Sequence, residues 1–174
     1  MEGFFLFLLT VLVVGVIIAV WGFGVDGLTS KVGHLERATG VHPSLRALLE
    51  AWNALGSHTV IVAPDGGKRT DAAKQASYAA SGTSNAPTLE STPHGRGGAL
   101  DLYPTSFLPH LALRTSWENL PQSVRDEFEA FGVFAEARGF KWGGRWRSVK
   151  FPNGDQPHVE IIGWQSLPFP GEYP

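Results

Sequence analysis

The segment STPHGRGGALD (91–101) sets a histidine, His94, and an aspartate, Asp101, seven positions apart, with Gly95, Gly97 and Gly98 between them. Both side chains bind divalent metals, but on a straight strand rising about 3.3 Å per residue they would stand about 23 Å apart. They can share one ion only if the chain folds back, and the glycines permit the positive-φ turns that this needs. Asp101 would then return on a strand beside the loop that carries His94. A second segment, DQPHVE (155–160), flanks His158 with Asp155 and Glu160. On a strand, His158 and Glu160 share a face, and Pro157 suits the start of an edge strand. His94, Asp101 and His158 together form a nitrogen/oxygen set that zinc accepts, with a fourth position open for water. Zinc lowers the pKa of such a water to about 7, and either Asp155 or Glu160 could take its proton. GKRT (67–70) reads by itself as an ordinary basic turn, but a guanidinium near the ion would stabilise the oxyanion of a tetrahedral intermediate, a contribution of typically about 3–4 kcal/mol. His34, His42, His58 and His110 lack such company and read as surface or structural residues.

Composition narrows the classes. The chain has 174 residues, enough for one domain and a little more, a net charge of -2 and no cysteine. Disulfides and thiolate zinc sites are excluded, and no basic stripe points to nucleic acid as a partner. The run from Gly3 to Val25 is uncharged and long enough to cross a bilayer as a helix, with Trp21 and Phe23 near its end. A cleaved signal peptide is the rival, but the start Met1-Glu2-Gly3 lacks its cationic residues and no cleavage site stands out. A retained anchor over 1–25 is therefore expected, followed by a polar linker over 26–40. Lys31 and Arg37 after the span weakly place the C-terminal part of the chain on the cytoplasmic side.

Several elements must position these groups. The stretch HPSLRALLEAWNALG places Leu45, Leu48, Leu49, Trp52 and Leu55 on one helical face, with Pro43 in its first turn and Gly56 at its end. HTVIVA (58–63) predicts a strand. Thr70 is expected to cap a helix that runs to about Ser81. Ala99 to Tyr103 and the region around HVEII predict further strands. Val124, Phe128, Phe131 and Ala135 mark a helix from Pro121 to Arg138, stopped by Gly139. Helices and short strands mixed in this way favour an α+β domain on a small antiparallel sheet. That domain is expected over 41–166, followed by an irregular tail over 167–174.

Taken together, these segments resemble one family. From His94 to Asp101, STPHGRGGALD fits the Ser-x-His-x-x-Gly-x-Ala-x-Asp pattern of the zinc D-alanyl-D-alanine carboxypeptidases of the VanY type. Their relatives, the L-alanyl-D-glutamate endopeptidases of phage endolysins and bacterial wall hydrolases, share it. Ser91 stands one position before the pattern's serine, whose place Thr92 takes. WGGRW (142–146) and DQPHVE resemble the endopeptidase branch, while GVHPSL (40–45) and KRTDAAKQ (68–75) resemble its upstream segments. The resemblance implies zinc bound by His94, Asp101 and His158, Asp155 as catalytic base, and Arg69 binding substrate and stabilising the oxyanion. Glu160 would orient a ligand imidazole, and Ser91 would support the His94 loop. The implied fold is the small α+β one shared with the hedgehog signalling domain. Lys68 replaces the usual aromatic before the arginine and Val159 a common Phe, departures that bear on substrate fit. Trp142 and Trp146 suit either the core or a substrate groove.

The expectation is a membrane-anchored zinc peptidase that cuts the stem peptide of peptidoglycan, at the L-alanyl-D-glutamate bond. Because peptidoglycan lies outside the membrane, its domain would face the cell wall, in periplasm or exterior, against the count of only two cations, Lys31 and Arg37, or sit in a virion membrane. Trimming of terminal D-alanine is the alternative within the family. A non-catalytic wall-binding module on a peptidase scaffold is the alternative of another class.

Overall fold

The computed structural model describes residues 37–56, 59–149, 151–169 and 173. The expected anchor over 1–25, His34 and His58 lie outside the described residues. Among the described residues, no helix is long and apolar enough to cross a membrane.

Four helices and four strands carry the fold: α1 (Pro43–Asn53), β1 (Val60–Val62), α2 (Ala72–Ala80), β2 (Ala99–Pro104), α3 (Leu108–Ala112), α4 (Gln122–Glu136), β3 (Phe140–Trp142) and β4 (His158–Ile161). The strands form one sheet in the order β1-β2-β4-β3, and every pairing is antiparallel. This is the expected α+β class.

Strand alternation separates a packing face from a chemical one. Leu100 and Leu102 of β2, Val159 of β4 and Trp142 of β3 point into a core that Leu45, Leu48, Leu49 and Trp52 of α1 and Phe131 and Ala135 of α4 complete. Burying each of these leucine, valine and phenylalanine side chains is worth about 1.5–3 kcal/mol. Trp52 adds edge-on contacts to Phe131 and Phe134, with ring centroids 5.3 and 5.0 Å apart. The helix α4 approaches β3 closely because Gly132 faces the Trp142 ring, where a Cβ would collide with it. Trp142 is thus a core residue, and its indole N–H donates to the Gln156 carbonyl at 2.8 Å. Asp101, His158 and Glu160 point to the other face of the sheet.

Several local expectations are corrected. Asp71, not Thr70, caps α2, its carboxylate accepting the Lys74 N–H at 2.9 Å. Leu55 lies beyond the end of α1 and is 60% exposed. The strand β4 is interior, paired with both β2 and β3. Pro157 stands just before it and serves as an acceptor for the Leu102 N–H at 2.9 Å, a role that needs no N–H of its own.

Candidate active site

Register brings two of the groups together. Asp101 on β2 is the direct cross-strand partner of His158 on β4, and Ala99 is that of Glu160. The loop before β2 supplies the third group. It turns back through Gly97 at φ +66°, with the Gly97 N–H on the His94 carbonyl at 3.1 Å and the Gly98 N–H on the Pro93 carbonyl at 2.8 Å. The His42 N–H, at the start of α1, donates to the Gly97 carbonyl at 2.8 Å. On its other side, the loop is covered by the tail. Leu167 and Trp164 close on Gly98, and Arg96 donates to the Leu167 carbonyl at 2.5 Å.

The result is a triangle of donor atoms. His94 Nε2 lies 3.3 Å from His158 Nδ1 and 3.3 Å from Asp101 Oδ1, and His158 Nδ1 lies 3.0 Å from Asp101 Oδ1. A tetrahedral edge is about 1.6 times the centre-to-vertex distance, so zinc bonds of about 2.0–2.1 Å require edges of about 3.3–3.4 Å. The triangle fits. The far atoms of both rings are also fixed: His94 Nδ1 donates to the Gly67 carbonyl at 3.0 Å, and His158 Nε2 to Glu160 Oε2 at 3.1 Å. Those acceptors require N–H at the far atoms, which turns a lone pair of each ring toward the other and toward a carboxylate. Two lone pairs and an anion at such range want a cation between them. These three residues form the group able to hold a metal ion among the described residues.

Electrostatics agree. Burial alone would raise the Asp101 carboxyl, but the two imidazoles outweigh it and hold Asp101 well below the usual carboxylate range. Burial opposes charge on His158 as well, yet its bonds to Asp101 and Glu160 and the charges of Asp101 and Asp155 push it up to about 9. Without an ion, a proton on His158 Nδ1 takes the ion's place. Metal must displace that proton, so affinity for Zn²⁺ should rise with pH, about tenfold per unit between pH 6 and 8, all below the His158 pKa. Competition with a chromophoric chelator at several pH values measures this; equal affinity across that range would show that no proton is displaced.

Asp155 and Arg69 line the same cleft of about 320 Å³. Burial pushes the Asp155 carboxyl up and the Asp101 charge adds to this, while His158, His94 and Arg69 pull it down; the net direction is up. Its backbone N–H is held by the Gly143 carbonyl at 2.8 Å, and its carbonyl accepts the His158 N–H at 3.2 Å. Gly143 has no room for a side chain: a Cβ would stand 2.5 Å from the Asp155 carbonyl oxygen and 3.0 Å from the Cβ atoms of Asp155 and His158. This accounts for the first glycine of WGGRW. Gly143→Ala should cost about 1–3 kcal/mol in urea denaturation and lower hydrolysis by displacing Asp155.

Arg69 reaches Asp101 Oδ2 at 3.5 Å and Gln75 Oε1 at 3.2 Å, and its guanidinium lies 5.3 Å from the centre of the Tyr78 ring. Glu160 is buried; His158 and Lys141, the latter at 3.2 Å, overcome the effect of burial and lower its pKa. Ser91 is exposed and bonds to Thr88, its Oγ accepting the Thr88 N–H at 3.1 Å, so it closes the preceding turn without touching His94. Trp146 lines the cleft, its ring 5.0 Å from that of His158. His42 and His110 stand outside this cluster. Sequence reasoning missed the Gly67 carbonyl and gave no role to the buried Gln75, although Gln75 ends the KRTDAAKQ segment of the resemblance. For the Gly67 carbonyl the signal was the glycine pair beside KRT.

Residues 85–161, which carry the three metal-facing residues and Asp155, match the family model described as D-alanyl-D-alanine carboxypeptidase. That stretch of the chain is similar to this peptidase family. The match and the cluster together identify a metallopeptidase, with His94, Asp101 and His158 able to hold the ion. Three solved chains match this chain in fold. One is the crystal structure of Serratia marcescens L-Ala D-Glu endopeptidase ChiX, with a TM-score of 0.53 and 20% identity, covering 76% of this chain and 90% of that one. At that identity the likeness is one of fold. No curated protein matches the chain in sequence.

Proposed function

We propose that this metallopeptidase is zinc-dependent and hydrolyses the stem peptide of peptidoglycan, at the L-alanyl-D-glutamate bond. The observation that carries the reading is the donor triangle with edges of 3.0–3.3 Å, opening on a cleft that Asp155 and Arg69 share. Zinc there would supply a Lewis acid for the scissile carbonyl and a water acidic enough to react near neutral pH. Asp155, its pKa raised by burial, takes a proton from the attacking water and returns it to the leaving amine as the C–N bond breaks. Arg69 has five N–H groups. Three are engaged by Asp101, Gln75 and the Asp65 carbonyl, leaving two for the oxygen of the scissile carbonyl as it gains charge. Trp146 offers an apolar wall to the peptide. Residues 1–25 hold the domain at a membrane, on the side facing the wall or within a virion envelope; membrane fractionation with and without these residues tests this.

Digestion of purified peptidoglycan, with and without chelator, tests the function. Cleavage at the proposed bond leaves a new amino terminus on D-glutamate, detected by mass spectrometry and abolished by chelator. Release of free D-alanine would instead identify a carboxypeptidase, a reading that the description of the matched family favours. Wall binding without any new terminus would leave only a binding module.

A further inference from the structure

The helix α2 buries a single residue, Gln75, which is 1% exposed. A leucine would suit that position on packing grounds alone, and an unsatisfied buried amide costs about 1–3 kcal/mol. Gln75 is fully engaged. Its Nε2 donates to Ser84 Oγ at 3.0 Å and to the Ala86 carbonyl at 2.6 Å, and its Oε1 accepts from Arg69 Nη1 at 3.2 Å. Ser84 and Ala86 are in the segment that walls one side of the cleft, and Arg69 lies in its lining. Ser84 Oγ also accepts the Ala86 N–H at 3.1 Å, which closes the wall segment on itself. One side chain therefore ties the arginine to the wall. The other contacts of Arg69 do not fix it as well: Asp101 and the Asp65 carbonyl are each at 3.5 Å, and the Tyr78 ring allows sliding.

We propose that Gln75 is a positioning residue that holds the Arg69 guanidinium and the 83–87 wall in one fixed relation. The inference rests on the proposed role of Arg69 at the scissile carbonyl. The two ends of the amide do separable work. The carbonyl end sets Arg69, and so the chemical step; the amino end sets the wall, and so substrate binding.

A double-mutant cycle tests this. Gln75→Leu keeps the volume but removes all three bonds, and should lower kcat about 10- to 100-fold, the cost of misplacing a reacting group by about 1 Å. In an Arg69→Ala background the same change should cost less than twofold in kcat, since the group it positions is gone. An equal factor in both backgrounds would overturn the proposal, as would unchanged kcat in the single variant. Gln75→Glu keeps the acceptor for Arg69 but sets a carboxylate oxygen against the Ala86 carbonyl; it should raise KM while kcat stays within about threefold. A fall in kcat with KM unchanged would contradict the division of labour. A readout without substrate separates this from the peptidase reading. The ¹⁵N signals of the Arg69 guanidinium should be resolved in the wild type and averaged by rotation in Gln75→Leu. Identical signals in both would refute the positioning role even in a protein that cleaves no wall; a wild type inactive on every wall substrate would refute only the peptidase reading.

Discussion

Asp155→Asn is expected to lose hydrolysis by a factor of about 10²–10⁴ while still binding one zinc ion. The amide keeps the size of the carboxylate and leaves in place the backbone bonds to Gly143 and His158, so the 155–158 turn should hold its shape. It cannot accept a proton. Burial and the Asp101 charge, which raise the Asp155 carboxyl, suit it to proton transfer at neutral pH better than an exposed aspartate would be. Zinc stoichiometry by elemental analysis and rate by release of new amino termini should therefore part company in this one variant. Full activity would remove Asp155 from the mechanism. Loss of both metal and activity would move it among the residues that hold the ion.

His158→Ala should fail differently. It removes one corner of the donor triangle and the partner of two buried or half-buried carboxylates, Asp101 and Glu160. Zinc affinity should fall by more than the 10- to 100-fold usual for a residue that only orients a ligand, and hydrolysis should vanish with it. Chelator should do the same to the wild type, with recovery on adding Zn²⁺. Glu160→Gln is the control: it keeps His158 and should stay within that 10- to 100-fold range. Equal zinc binding in His158→Ala and the wild type would place the ion elsewhere.

The parts legible in the sequence are those set by local rules. Spacing of Val124, Phe128, Phe131 and Ala135 located α4 to within two residues. The glycines between His94 and Asp101 announced the fold-back, and alternation placed His158 and Glu160 on one face. What stayed hidden depended on partners distant in the chain. The strand β3 is three residues long with an exposed lysine at its centre, too little for a period to show, and exists because β4 and α4 flank it. Pro157 suggested an edge because prolines cannot donate; that it can stand just before an interior strand and accept becomes visible only with β2 beside it. The orienting acceptor of His94 is a main-chain carbonyl, that of Gly67, and carbonyls leave no mark in a sequence. Gln75 and Trp146 are individually ordinary residue types; only the packing tells the clamp from the cleft wall.

The facing of Asp101 and His158 across neighbouring strands also bears on when the ion can be acquired. A slip of one residue in that pairing would turn one of them to the opposite face of the sheet, so no binding pocket precedes correct zippering of β2 with β4. A chain threaded through a membrane unfolded could not bring its ion along. The compartment in which the sheet closes is the one whose metal pool loads it, and refolding in a chelator should yield a closed sheet that awaits loading.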